Sequence, residues 1–155
     1  MTEFSKEINS TFPNEKIKAL LNIKFTANYF DTLGNEQLKP FKISEQQYNI
    51  LRILRGAKKA ITVKTVKERM VQKSPNSTRL MDKLCDKKLI ERERCEHDRR
   101  VVYVKITEKG LNLLSKVKME GLDNYFNNLS EDEARILNTL LDKFRTNDSK
   151  NIQIK

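Results

Sequence analysis

Two short stretches of this chain hold its most chemically directed side chains. Ser74-Pro75-Asn76-Ser77-Thr78-Arg79, with Lys83 one helical turn further on, gathers small hydrogen-bonding groups and cations. Asp98-Arg99-Arg100 sets two guanidiniums beside one carboxylate. Such groups suit a polyanion with readable edges, because arginine bonds bidentately to phosphate or to a base. Groups for covalent or acid–base catalysis are scarce by contrast. His97 is the single histidine, and it stands in a charged stretch with no Ser or Cys nucleophile in a strained turn. Cys85, Cys95 and His97 offer three zinc ligands at most, without C-x-x-C or H-x-x-x-H spacing, so no tetrahedral site is expected. Four glycines could hardly build a phosphate-cradling loop. The expectation is a protein with no catalytic residues, no metal and no cofactor.

The net charge of +10 agrees with a polyanionic partner mainly through its placement. Between Lys58 and Lys105 there are fifteen Lys or Arg and seven Asp or Glu, whereas the rest of the chain is nearly balanced, at 16 and 14. A localised basic block gains from counterion release when it meets phosphates. A solvated basic face would look the same, so charge must be supported by the fold. No apolar run approaches bilayer length, and the opening MTEFSKEINS lacks the plan of a signal peptide. Two cysteines make no disulfide framework. A soluble, cytoplasmic protein without membrane contact is expected.

The periodicity predicts the elements that would position these groups. Asn14 to about Leu33 reads as a wide-faced helix carrying Ile17, Leu20, Leu21, Ala27, Phe30 and Leu33, with Gly34 as its stop. Ser44-Glu45-Gln46-Gln47 is a capping box opening a helix over about 45–56. Thr62 caps a short helix bearing Val63, Val66 and Met70. Ser74 as cap and Pro75 in the first turn open another over roughly 75–87, with Leu80, Met81, Leu84 and Cys85 inward and Asn76, Ser77, Arg79 and Lys83 outward. Two short helices in succession are a helix-turn-helix plan. From Ile90 the period becomes two, and the β-branched run Val101–Ile106 completes a hairpin around a charged tip. A long helix over about 108–127 follows, and a second capping box, Ser130-Glu131-Asp132-Glu133, opens a last helix with Leu137, Leu140, Leu141 and Phe144 in one stripe.

The fold class is therefore mainly α with a small β-hairpin wing (α+β). In this order the chain resembles the multiple-antibiotic-resistance regulator (MarR) family. The resemblance runs from Leu38-Lys39-Pro40 and Ser44–Tyr48 through Ser77–Leu84 and Leu89–Arg92 to Asp98-Arg99-Arg100 and Ile106–Gly110. It implies one winged helix-turn-helix domain over 1–155, with a DNA-binding lobe at 44–107 and helical dimerisation regions at 1–43 and 108–146. It also implies a homodimeric, sequence-specific transcription regulator, more often a repressor, on a near-palindromic operator in double-stranded DNA.

On that reading Asn76, Ser77 and Arg79 reach base edges in the major groove, while Ser74, Pro75, Thr78 and Lys83 lie nearer phosphates. Arg99 and Arg100, in a wing spanning 95–101, suit the minor groove. Asp98 pairs with a wing arginine and holds its direction. The alternative is a winged-helix protein-interaction module without DNA binding, against which the basic block speaks.

The resemblance further implies a small amphipathic or phenolic effector, or an oxidant. Tyr29, Phe30, Phe41 and Tyr48 are the aromatics that could line an effector cleft, and each equally suits core packing. The family's peroxide-sensing branch carries a cysteine near the start of the first helix, which this chain lacks. Cys85 reads as a packed thiol. Cys95 lies among Arg92, Arg94 and Arg99, where positive charge could favour a redox-active thiolate.

Overall fold

A computed structural model describes residues 3–72, 75–95, 98, 100–117 and 122–146. The chain divides into two compact units, residues 1–118 and 119–155. In the first, a short helix α1 (Phe4–Glu7) precedes the long α2 (Glu15–Leu38). Sequence periodicity gave no sign of α1. It is held by the ring of Phe4, which packs 5.3 Å from Phe12 and 5.4 Å from Phe25 of α2. Asn14 caps α2 by accepting from the amide of Ile17 at 2.9 Å.

Gly34 does not stop α2, contrary to expectation. It is buried beneath the Glu45 side chain, and a Cβ there would lie 3.1 Å from the Glu45 Cδ. The missing side chain thus admits a neighbour and leaves the helix running. The end comes at a 3-10 turn, Lys39–Phe41, containing Pro40, and the chain then reverses through Lys42 at φ 54°.

The capping box opens α3 (Glu45–Ala57) as expected. Ser44 Oγ accepts from the Gln47 amide at 3.2 Å, and Gln47 Oε1 accepts from the Ser44 amide at 3.1 Å. Ile50, Leu51 and Leu54 are fully buried and form the centre of the first unit with Leu38, Val66, Met81, Leu84, Ile90 and Val104. Thr62 caps α4 (Val63–Arg69) through the Thr65 amide at 3.1 Å, also as expected. The next helix, α5 (Ser77–Asp86), begins two residues later than the sequence suggested, with Asn76 at its N-cap position. The proposed Ser74 cap lies outside the described residues.

The sheet has three strands where two were expected. Besides β2 (Ile90–Arg94) and β3 (Val102–Ile106), Ile61–Thr62 forms β1, and the order is β1-β3-β2, all antiparallel. Ile61 faces Val104 and Ile90 faces Ile106. Burial fades quickly along β2, where Ile90 is buried and the next four residues are exposed. The hairpin is rooted in the core at one end and projects from it at the other.

At the root, α6 (Glu108–Lys116) makes its closest approach. Thr107 Oγ1 donates to the Lys88 carbonyl at 2.8 Å and accepts from the Gly110 amide at 3.1 Å. A Cβ on Gly110 would stand 2.3 Å from the Leu89 carbonyl oxygen, so only glycine fits.

The predicted single helix over 108–127 is two elements. Helix α6 closes at Lys116, because Val117 leaves helical geometry (ψ 98°) and buries its side chain in the first unit. The second unit contains α7 (Leu122–Phe126) and α8 (Glu131–Arg145), whose Ser130–Glu133 capping box forms as read from the sequence. Along α8, Ile136 is 60%, Leu140 56% and Phe144 50% exposed. Among the described residues no helix is long and apolar enough to cross a membrane.

Candidate nucleic-acid interface

Helix α5 is sharply two-sided. Met81 and Leu84 are buried and Leu80 and Cys85 half-buried, while Asn76, Thr78, Arg79 and Lys83 are exposed. Pro75, ahead of the helix, is exposed as well. Ser77 corrects the sequence reading, because it is 2% exposed and turned into the lobe rather than outward. The first turn at 77 places it one step round from Thr78, on the buried side of the helix. The Gln47 amide of the α3 capping box also reaches α5, donating to the Leu80 carbonyl over a long 3.5 Å.

Arg92, on β2, joins the hairpin to α5. Its guanidinium pairs with Asp82 and donates to the Thr78 carbonyl at 3.3 Å. Two bonds from one planar donor restrain both the direction and the distance of the hairpin relative to the helix. Arg92 was no part of the expected site, although a cation ten residues after an acid on a facing element was visible.

Asp98 shapes the tip of the hairpin through the main chain. Its carboxylate accepts from the main-chain amide of Arg100 at 2.9 Å, and its carbonyl accepts from Val101 at 2.9 Å. Asp98 therefore sets the backbone from which Arg100 extends, as Asx turns do. Arg99 lies outside the described residues. Cys95 closes the ladder by donating its amide to the Val101 carbonyl at 3.0 Å, and its side chain is half-buried.

Hairpin, α4 and α5 together enclose an open cleft of about 500 Å³. Thr78 and Arg100 from the expected site line it beside Arg92, Lys64 and Lys67, over a floor of Val63, Val101 and Val102. Lys64 and Lys67 were missed individually. Their spacing of three on α4, inside the basic block, was the available signal. Arg92 is taken up by Asp82 and the Thr78 carbonyl, which leaves Lys64, Lys67 and Arg100 as the cations the concavity presents.

The four aromatics stand in different local settings. Tyr29 and Phe30 stack edge to face at 5.6 Å, while the Tyr48 ring takes the Arg52 guanidinium at 5.9 Å. Phe41 sits half-buried in the turn after α2. A shallow hollow of about 290 Å³ beside α2 includes Tyr29, with Phe25, Leu33 and Glu36, and not the other three. Burial pushes the Cys85 thiol up, against the pull of Arg92, in keeping with a packed cysteine. Among the described residues no group of three acidic, His or Cys side chains is arranged to hold a metal ion.

Three helices, the last presented outward beside a projecting hairpin of a three-stranded sheet, define a winged helix-turn-helix protein. Residues 32–117 match the family model described as transcriptional regulator SarA/Rot, and the chain belongs to that family. Solved structures extend the likeness to MarR regulators. The MarR transcription factor from Planctomyces limnophilus is 30% identical, with 85% of this chain and 98% of that one covered at a TM-score of 0.65.

A mutant E. coli MarR complexed with operator DNA is 29% identical over 94% of this chain and 100% of that one, with a TM-score of 0.66. MepR of S. aureus in its DNA-binding conformation is 21% identical, covering 81% and 94%, and shares the fold at a TM-score of 0.68. The protein is a transcription regulator of the MarR-like winged-helix class, a class of regulators rather than enzymes.

Proposed function

We propose that this regulator is a homodimer that reads a near-palindromic operator, with α5 in the major groove and the wing in the minor groove, and acts as a repressor. The observation that carries this reading is the concave face where Lys64, Lys67, Arg92 and Arg100 surround Thr78 beside the exposed Arg79 and Lys83. The operator complex of the 29%-identical E. coli protein supports it by analogy. Asn76 and Arg79 contact base edges. Thr78, Lys83, Lys64 and Lys67 contact phosphates, and Arg100 enters the minor groove from a tip held by Asp98. Ser74, Pro75 and Arg99 extend the same contact set.

A two-fold arrangement puts paired recognition helices about one DNA turn (~34 Å) apart. The apolar residues left exposed on α2 (Ile17, Leu20 and Leu21) and on α8 support self-association. A small amphipathic or phenolic effector would act by binding one spacing of the two lobes better than the other. The hollow at Tyr29 is the first place to look for it. Residues 44–107 then form the reading lobe, with 1–43 and 108–146 as dimerisation regions, in a cytoplasmic protein.

Binding to random duplex at several salt concentrations tests the reading directly. A steep loss of affinity with salt is expected, and a flat profile would overturn it in favour of a protein-interaction module. Arg100→Ala should weaken binding to all sequences. Arg79→Ala should relax discrimination at its base by about 1–3 kcal/mol. Equal losses on every operator for both variants would refute the division of labour.

A further inference from the structure

The hairpin is held to the rest of its lobe at two levels. At its root Ile90 is buried opposite Ile106, and two residues further along β2 Arg92 stands opposite Val104. Residues two apart on a strand share a face, so the side of β2 that packs at Ile90 turns a guanidinium toward α5 at Arg92. That guanidinium pairs with the Asp82 carboxylate and donates to the Thr78 carbonyl at 3.3 Å. Thr78 and Asp82 are about one helical turn apart, so the two bonds grip α5 along its axis rather than at one point. Beyond this level the hairpin runs on to Arg100, whose main-chain amide is held by Asp98. The ion pair of Lys105 with Glu91, at 2.9 Å, lies wholly within the hairpin.

We propose that Arg92 is the positioning residue that fixes the separation of α5 and the wing, so that the protein selects operators by the distance between the bases read by α5 and the minor-groove stretch entered by Arg100. The inference rests on the proposed reading of DNA by α5 and the wing, and it adds a spacing rule to that reading. Its basis is leverage. Arg92 holds the hairpin about 7 Å from the Ile90–Ile106 pair, and Arg100 lies about 20 Å from that pair, at roughly 3.3 Å per strand residue. A slip of ~1 Å at Arg92 becomes ~3 Å at the tip, close to the ~3.4 Å rise of one nucleotide step. Without the hold at Arg92 the tip meets the minor groove at more than one base step.

Charge alone does not supply this hold. A lysine at 92 keeps a cation beside Asp82, but a flexible ammonium has no planar fork to fix its direction on a carboxylate and a carbonyl together. Asp82 adds a second consequence. It lies on α5 between Arg79 and Lys83 in sequence, its side chain is 49% exposed, and its charge opposes a phosphate unless Arg92 answers it. Arg92→Ala removes the hold and bares the acid, whereas Arg92→Lys removes the hold alone.

The test uses the full chain and a library of synthetic duplexes, each with a randomised core and a short A/T tract set at successive one-pair offsets from it. Sequencing of the bound duplexes gives the enrichment at each offset, and fluorescence anisotropy gives affinity and its salt slope. The parent is expected to enrich one offset per half-site. Arg92→Lys should keep the salt slope but spread its enrichment over neighbouring offsets. The ratio of best to next offset should fall roughly fivefold or more, the scale of one misplaced base contact. Arg92→Ala should show the same spread with weaker binding at every offset. Adding Asp82→Ala to it should recover affinity without recovering the offset preference. Lys105→Ala, which breaks an ion pair inside the hairpin, should keep the preference of the parent.

A merely structural role would weaken Arg92→Lys at every offset alike, and an unchanged offset ratio in that variant overturns the proposal. A salt slope smaller by about one phosphate in Arg92→Ala, with the ratio unchanged, overturns it as well, because Arg92 would then touch DNA itself. A parent that binds duplex with no offset preference overturns it while leaving the DNA reading intact. A parent that binds no duplex at any salt removes the DNA reading and the spacing rule together. The hold itself is then judged from residual dipolar couplings, which should give the hairpin and α5 one common alignment in the parent and lose it in Arg92→Lys.

Discussion

Helices α3 and α8 begin with the same local code and end in different circumstances. Each opens on a serine capping box, at Ser44–Gln47 and at Ser130–Glu133, and each carries one apolar stripe. In α3 the stripe is fully covered, with Ile50, Leu51 and Leu54 at the centre of the first unit. In α8 it stays open, and Ile136, Leu137, Leu140 and Phe144 are all exposed. Capping decides where a helix starts and periodicity decides which side is apolar. Neither decides what covers that side. An open stripe in one of two similarly built helices supports the self-association proposed above, because isolated apolar exposure is ordinary but a continuous face is not.

The comparison can be broken most forcefully from the covered side. Leu51→Ala should leave a cavity and cost about 2–5 kcal/mol in urea unfolding. Leu140→Ala should change the stability of a dilute subunit by less than about 0.5 kcal/mol. Its effect should appear in sedimentation, as weaker self-association. A large monomer effect for Leu140→Ala would mean that α8 is covered within its own chain.

Next in size is Gly110→Ala, where a methyl would overlap the Leu89 carbonyl. A loss of about 1–3 kcal/mol is expected in the same unfolding assay, with the damage at the root of the hairpin. Removing the caps sharpens the comparison further. Ser44→Ala and Ser130→Ala should each cost about 0.5–2 kcal/mol by thermal unfolding, the first toward the upper end because its box is part-buried.

The smallest effect separates the two boxes by pH. Gln47 does not titrate, whereas the Ser130 amide and hydroxyl hold the Glu133 carboxyl below its ordinary 4.5. A lowered carboxyl contributes above 4.5, and that contribution is lost as pH falls through the depressed value. Amide protection along α8, corrected for the intrinsic slowing of exchange by acid, should therefore fall on acidification in the parent, and Glu133→Gln should remove the dependence. The start of α3 should not follow the same course, since the carboxyl at Glu45 is displaced in the opposite direction.

Much of the reading lobe was legible from local signals. The Ser44 box, the Thr62 cap and the β-branched run after Val101 were read correctly because their causes lie within a few residues. Where the cause was distant, the reading failed. Gly34 looked like a stop until Glu45 was found packed over it. Ser77 looked outward because helix position was counted from Pro75, two residues before the actual first turn. The strand at Ile61–Thr62 was too short to show a period, and it exists only because Val104 and Tyr103 lie opposite. Arg92 and Asp98 were visible as charges, but their partners, a helix acid and carbonyl for one and a main-chain amide for the other, belong to the folded arrangement.

From its sequence alone this protein was bound to be mainly helical with one basic hairpin, because caps, periods and charge placement act over single turns of chain. Tertiary structure decided which charges stand exposed and which are consumed in holding α5 and the hairpin together. It also brought Asp31, Gln46 and Gln72 into one hydrogen-bonded cluster from three separate segments. Proximity of that kind depends on how helices pack, and the fields and hydrogen bonds that matter there act across gaps of a few ångströms between residues far apart in the chain.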